Sequence, residues 1–412
     1  MYDKASISLI PSGTKTGKLY SVLPANDDGD FIFERGTTAT RVNKDGLIET
    51  VSADIPRLDY PLTNGVVGDC PHLLLEPLRA NLQVYSEQFD NSAWGKANSS
   101  VSPNSGVAPD GSNNADKLIA DTSNDKHYIQ DVTSSLTGVH RASVFAKADG
   151  YNYVEVGERG TGGARAVFNL STGVIETEIS SPNAKIENFG NGWYRCSIEE
   201  TMSSSIFAFR IAVSDNTTSD SSWTGNGVDG ILIWGAQLEE GSYATSYIPT
   251  LTNSSETRLG DVCNNSGTSA EFNDSEGVIF AELSALANDG TNRRIAIPNS
   301  GTTGLHRIEL SSTDNRVFGV TYVSPSNQAA IGHTLTDVTT TFKIAYKYKA
   351  NDFALWVNGV EVGTDSSGSV PTGLTELNFD NGSGNDDFYG KVKQLIYFNE
   401  ALSDSELQTL TS

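Results

Sequence analysis

The chain is predicted to be all-β, an N-terminal attachment segment followed by two antiparallel β-sandwich domains. Three observations carry that prediction. Short apolar or alternating runs are separated by Gly, Asn and Asp turns along nearly the whole length. Aromatic residues are plentiful (16 Phe, 15 Tyr, 5 Trp), which separates a folded chain with many turns from a disordered one. At 412 residues there is room for two or three domains, each able to bury its own core.

Residues 1–85 read as the attachment and oligomerisation segment. Phe31-Ile32-Phe33 reads as a strand after the Asn26–Asp30 turn, and Asp45-Gly46 as a hairpin turn leading into Leu47-Ile48. A piece this small builds little core alone, so it is expected to pack on another domain, another copy or a larger particle. From Arg57 to Trp94 the chain is broken by Pro71 and Pro77, which exclude a continuous helix. Its leucines come in bursts that suit extended chain lying on apolar surface. Leu73, Leu74, Leu75, Leu78 and Leu82 are therefore expected to serve assembly, burying against a neighbouring copy or the first sandwich.

Residues 86–250 carry the first sandwich. Phe207, Phe209, Ile211 and Val213 form the apolar face of a central strand, and Ile231–Trp234 is an apolar run to be buried on both faces. Residues 251–270, small and polar, read as a linker. The second sandwich spans 271–412. In it Phe342, Ile344, Tyr346 and Tyr348 alternate with Lys and Ala, predicting a half-solvated strand. Asn358-Gly359 is a hairpin signal, and Ser403 to Glu406 a capping box that opens a short helix.

Charge narrows the partners. Lys and Arg total 28 against 51 Asp and Glu, a net −23, which disfavours nucleic acid and anionic membrane because both are bound through basic groups. The three cysteines lie in separate segments, without the count or spacing of a disulfide framework or a metal site. No apolar signal region follows Met1, and no run approaches the ~20 apolar residues of a membrane span. The chain is expected to fold in the cytosol where it is made, without membrane insertion.

Two resemblances appear at this point. Leu355–Gly359, Tyr389–Val392 with Leu395–Phe398, and Ala401–Leu407 together resemble the laminin-G/concanavalin-A-like superfamily. Phe33–Glu49, PRLDYPL at Pro56–Leu62, CPxLLLEPxRxNL at Cys70–Leu82 and YSEQFDNSAW at Tyr85–Trp94 resemble bacteriophage virion proteins of the tail-fibre or head-fibre kind. So does the closing wording Trp234–Gly241 with Thr245–Thr250. In such proteins a carbohydrate-binding-module-like jelly roll follows the leader. The resemblance implies a virion-located, homotrimeric protein that contacts other virion proteins and host-cell glycans through its sandwiches. Purely architectural decoration and polysaccharide depolymerisation are the competing functions.

Catalysis finds little support in the residues. Concanavalin-A-like glycosidases need paired carboxylates, often Glu-x-Asp-x-x-Glu on one strand, and no such run exists. Glu199-Glu200 are adjacent and point to opposite faces of a strand. The chain is therefore expected not to be an enzyme. Gly13–Lys18 imitates a phosphate loop but is one residue short, with Leu19 where a hydroxyl is required. The loop Asp380–Asp387 offers oxygen ligands, so Asp380, Asn381, Asp386 and Asp387 are candidates for calcium, with a solvated turn as the alternative. Laminin-G-like folds often hold calcium at such a rim. For sugar, an exposed aromatic face beside polar groups is the requirement. Trp193, Trp234 and Trp356 sit in apolar strand patterns and read as core. Trp223, among Ser, Asp and Gly, reads as a loop residue and the first ligand candidate, with Tyr151 and Tyr153 next.

Overall fold

The computed structural model describes residues 2–158, 163–181, 183–301 and 303–412. It is all-β, with one short C-terminal helix, Asp404–Thr411, and a single 3-10 turn, Tyr2–Lys4. Among the described residues no helix is long and apolar enough to cross a membrane.

The first sandwich is one ten-stranded antiparallel sheet rolled on itself. Two long strands, His127–Asp149 and Trp193–Ser214, pair along most of their length and run through both layers. Strand Gly230–Glu240 covers one edge of the first, and strand Tyr153–Glu158 covers the end of the second. Residues from both layers, including Ile129, Val144, Val156, Phe209 and Ile233, meet in one core. The expected apolar face Phe207, Phe209, Ile211 and Val213 lies wholly in that core. The run Ile231–Trp234 is buried on both faces as its composition requires. Ile231 and Ile233 enter the inner core, while Leu232 and Trp234 join a second cluster outside it with Ile48, Phe145 and Tyr247.

The second sandwich packs an eight-stranded sheet against a four-stranded one made of Arg293–Pro298, Gly304–Leu310, Arg316–Val323 and Ser326–Thr334. Ile295, Ile308 and Val317 face Ile279, Ile344 and Leu395 across the core. At Asn358-Gly359 the hairpin forms as expected, both residues having positive φ (47° and 81°) between the paired strands Phe353–Val357 and Val360–Asp365. Glu406 accepts a hydrogen bond from the Ser403 amide (2.9 Å), closing the helix N-terminus. That helix covers the outer face of the large sheet through Leu407 and Leu410 against Ala345, Ala354 and Trp356. Strand Phe342–Lys349 is buried on both faces at its centre, where Ala345 seats the helix, while Lys343 and Lys349 near its ends stay partly or fully exposed, so the half-solvated reading holds only there.

The leader binds both sandwiches. Strands Ala5–Leu9 and His72–Leu75 share one edge of strand Gly390–Phe398, pairing with its two halves, so the large sheet gains strands from the other end of the chain. An edge left open there would expose unpaired backbone groups. Hairpin Ala39–Val42/Ile48–Val51 packs Ile48 into the outer cluster of the first sandwich, and the Thr40 hydroxyl donates to the Tyr247 carbonyl at 2.6 Å. A second hairpin, Leu62–Thr63/Val66–Val67, rests on strand Lys185–Gly190. There Gly65, at φ +79°, lies so close that a Cβ would stand 2.3 Å from the Asn188 side-chain oxygen.

The five leucines are placed unequally. Leu73 and Leu75 are core residues of the second sandwich, and Leu74 is also buried. Leu82 is half-buried against the first sandwich. Leu78, expected to be buried, is 54% exposed, because it follows Pro77 after the paired strand has ended. The main burial is thus against the last sandwich of the same chain.

Residues 251–270, read as a linker, contain two paired strands. Glu256–Arg258 pairs with Arg79–Asn81, and Val262–Asn264 pairs with Phe31–Glu34. Arg258, Asp261 and Cys263 are buried. Residues 251–257 are exposed as a linker would be, whereas Arg258 and Asp261 are buried because their charges find distant partners in the leader.

Candidate ligand-binding cleft

A cleft of about 600 Å³ opens where the leader and the two sandwiches meet. Strand Ala39–Val42 and residues Asp59–Leu62 supply one wall. Strand Lys185–Gly190 and the segment Tyr243–Tyr247 of the first sandwich supply the second, and Ser284–Leu286, Thr339 and Lys391 of the second sandwich the third.

Its floor is a buried ionic network. Arg57 donates to Glu76 at 2.5 Å and also to Asp261, Arg258 donates to Glu76 at 2.6 Å, and Arg35 reaches Asp261 at 3.1 Å. Ser246 gives Glu76 both its amide (2.7 Å) and its hydroxyl (2.6 Å). Burial pushes the Glu76 carboxyl toward neutrality, but Arg258 and Arg57 outweigh it and hold the group ionised, well below the usual carboxylate range. Three guanidinium groups around two carboxylates tie the leader, the joint and the end of the first sandwich together.

The walls carry further pairs. The Asp59 carboxylate lies 2.9 Å from His72 Nε2; burial raises its pKa, yet His72 and Lys391 bring it below its ordinary value. At the rim Lys185 pairs with Glu187 at 2.8 Å, and this pairing overcomes the burial that would raise the Glu187 carboxyl. Arg41 is bound to Glu49 at 2.6 Å, and Arg195 donates to the Thr245 carbonyl at 2.6 Å with its guanidinium 5.4 Å from the Phe145 ring centre. Among the lining groups without a hydrogen-bond or ion-pair partner among the described residues are the hydroxyls of Tyr60 and Tyr243 and the ammonium of Lys391. The Tyr243 ring is fixed by the Arg79 guanidinium, 5.5 Å from its centre.

None of the sequence-predicted ligand residues lines this cleft. Trp223 begins a short strand, Trp223–Thr224, paired with Asn124–Asp125, and is only 7% exposed. Its ring sits edge-on to His127 (4.6 Å) and Tyr151 (4.7 Å), in the core of the first sandwich. This corrects the exposed-loop reading: the ring is buried against His127 and Tyr151 despite the polar sequence around it. Tyr151 packs beside it, half-buried, and Tyr153 is half-buried on the following strand. Trp193, Trp234 and Trp356 are core, as expected.

The side-chain oxygens of the Asp380–Asp387 loop, the calcium candidates, are engaged within the protein. Asp380 is buried and accepts from the Gly382 amide (2.5 Å) and the Asn264 amide group (2.9 Å). Asp386 is paired with Arg294, Asp387 accepts from the Tyr389 hydroxyl at 3.0 Å, and the Asn381 oxygen is taken by Ser383. Burial pushes the Asp380 and Asp387 carboxyls up. Among the described residues no three His, Cys, Asp or Glu side chains converge on one point.

Tyr60, Tyr243 and Lys391 were missed because each belongs to a different segment, and no local pattern links them. The one available signal was wording. Tyr60 stands in PRLDYPL and Tyr243 beside the closing motif of the first sandwich.

No family model and no curated protein matches the chain. Among solved structures, the Ruminococcus gnavus IT-sialidase CBM40 is 14% identical, covering 34% of this chain and 84% of that one at a TM-score of 0.29. Domain 4 of a GH43 extracellular arabinanase from Geobacillus stearothermophilus, in complex with arabinotriose, is 12% identical over 42% of this chain and 84% of that one (TM-score 0.30). Mouse laminin alpha1 domains LG4-5 are 10% identical over 68% and 92%, with a TM-score of 0.25. The β-sandwich architecture is read from the strands and cores of the chain itself.

Proposed function

We propose that the chain is a non-enzymatic glycan-binding protein of a bacteriophage virion, and that the cleft between its sandwiches takes the sugar. One observation carries the reading. The cleft presents two tyrosines with unpartnered hydroxyls and an unpaired lysine, between walls whose other charges are already satisfied. Tyrosine faces suit the C–H face of a sugar, and free hydroxyls and amides suit its hydroxyls.

The carboxylates support binding over hydrolysis. Asp59, Glu76 and Glu187 all have lowered pKa values, through His72, the arginines and Lys185 respectively. Glycoside hydrolysis needs one carboxyl protonated near neutral pH to serve the leaving oxygen, and these three are held as carboxylates. Virion location, partners among virion proteins and a homotrimeric state rest on the resemblance of the leader and closing segments. Trimeric display would raise the avidity of a weak site through effective concentration.

A glycan array probed with the full chain, together with an assay for released reducing ends, tests the reading. Selective retention of a saccharide without release is expected. The ionic network, which ties the leader and the 251–270 segment to the end of the first sandwich, favours a purely architectural role if no saccharide is retained. Release of reducing ends would overturn the non-enzymatic assignment.

A further inference from the structure

A second recessed site lies on the far sandwich. On the outer face of its four-stranded sheet is a depression of about 230 Å³ beside the loop Asn381–Ser383. Pro298, Leu305 and Tyr322 are cross-strand neighbours in register and form an apolar and aromatic row. Two residues along, Arg307 faces the same side. Its Nε donates to Glu309 at 2.8 Å, and Arg294 donates to the same Glu309 oxygen at 3.0 Å. Glu309 therefore grips Arg307 by its inner nitrogen. The two terminal nitrogens of Arg307 have no partner among the described residues, and Arg307 lines the depression.

The loop gives the site its wall. Arg294 is held on its other side by Asp386, and Gly382 lies on Pro298 so tightly that a Cβ would stand 2.8 Å from the proline Cβ. Asn381 and Ser383 are thereby fixed at the rim, with Ser383 donating to Asn381 at 2.8 Å. The arrangement is a preoriented, half-buried guanidinium fork beside a tyrosine, in a chain whose net charge of −23 makes chance anion binding at its surface unfavourable.

We propose that this depression binds a carboxylate-bearing sugar. The carboxylate accepts from both terminal nitrogens of Arg307, and the sugar ring lies on the row formed by Tyr322, Leu305 and Pro298. A planar guanidinium with two free donors matches a carboxylate bidentately, which a neutral hydroxyl pair does not reproduce. The site shares no residue with the cleft between the sandwiches, so it stands whether or not the cleft binds sugar.

The test is calorimetric titration of the full chain with the methyl glycosides of glucuronic acid, galacturonic acid and N-acetylneuraminic acid, each beside its methyl ester. At least one acid is expected to bind at least about tenfold more tightly than its ester. Arg307→Gln should remove that preference, Tyr322→Ser should weaken the acid and its ester alike, and Tyr60→Ala in the cleft should leave the preference intact. The variants' thermal transitions, matched to wild type, separate lost contacts from lost folding. Equal affinity for acid and ester, an unchanged preference in folded Arg307→Gln, or no binding of any of the three acids overturns the proposal.

Discussion

Arg57 and Glu76, both from the leader, form an ion pair of 2.5 Å at the buried floor of the cleft. Arg57 is fully buried and Glu76 is 2% exposed, and each has a second partner, Asp261 for Arg57 and Arg258 for Glu76. A buried pair of this kind adds little over an apolar pair of the same shape, but removing one member leaves the other charge stranded. Its effect is therefore to fix one arrangement of leader and sandwiches.

Arg57→Met is expected to cost about 3–5 kcal/mol, because Glu76 and Asp261 lose their shared cation in a buried site. Calorimetry should show the loss as a lower transition, with the two sandwiches beginning to unfold separately. An unchanged transition would mean that the network does not hold the joint.

Stability should fall on mild acidification. His306 is fully buried, stacked on Tyr348 at 3.5 Å and bonded to Thr321 at 2.8 Å, and burial lowers its pKa well below that of a free histidine. His72 is lowered as well, since burial outweighs the pull of Asp59. Below pH ~6.5 the unfolded chain takes up protons that the folded chain refuses, so stability drops as pH falls, by at most about 1.4 kcal/mol per pH unit for each histidine. Urea midpoints at pH 7.5 and pH 5.5 measure this, and His306→Gln should flatten the dependence.

Trp223→Ala is expected to destabilise the first sandwich by about 3–5 kcal/mol, the cost of removing a large core ring. Saccharide affinity at the cleft should be unchanged in the protein that remains folded. A selective loss of affinity at wild-type stability would restore Trp223 as a ligand residue.

The leucines separate in the same way. Leu75, 1% exposed in the second core, should cost about 2–5 kcal/mol on change to Ala. Leu78, out in solvent, should change stability by no more than about 0.5 kcal/mol. Chemical denaturation of the two variants is the comparison.

Both sandwiches were legible because strand period, turn chemistry and caps are local. The central strand at Phe207–Val213, the Asn358-Gly359 hairpin and the Ser403 cap all stand where the residues placed them. What was not legible is pairing across the length of the chain. Nothing near Ala5 or Leu73 announces that both complete the edge of strand Gly390–Phe398. The polar stretch around Arg258 and Asp261 looked like solvent-facing linker because its countercharges, Arg57 and Glu76, lie far away in sequence. The leader and closing segments have a physical meaning in that light. Arg57 of PRLDYPL, Glu76 of LLLEP and Ser246 of TSYIPT meet in one network, and Asn81 donates to the Ala236 and Ile248 carbonyls (3.0 and 2.8 Å) where the leader enters the first sandwich. Trp223 shows the converse error: small polar neighbours do not make a residue exposed.

The central claim is that sugar is bound in the cleft, and the most direct measurement is the affinity of the array-selected saccharide for wild type and for the double variant Tyr60→Ala, Tyr243→Ala. Removing both aromatic faces should weaken binding at least about tenfold, with the thermal transition close to that of wild type. Undiminished affinity in the folded double variant would contradict it.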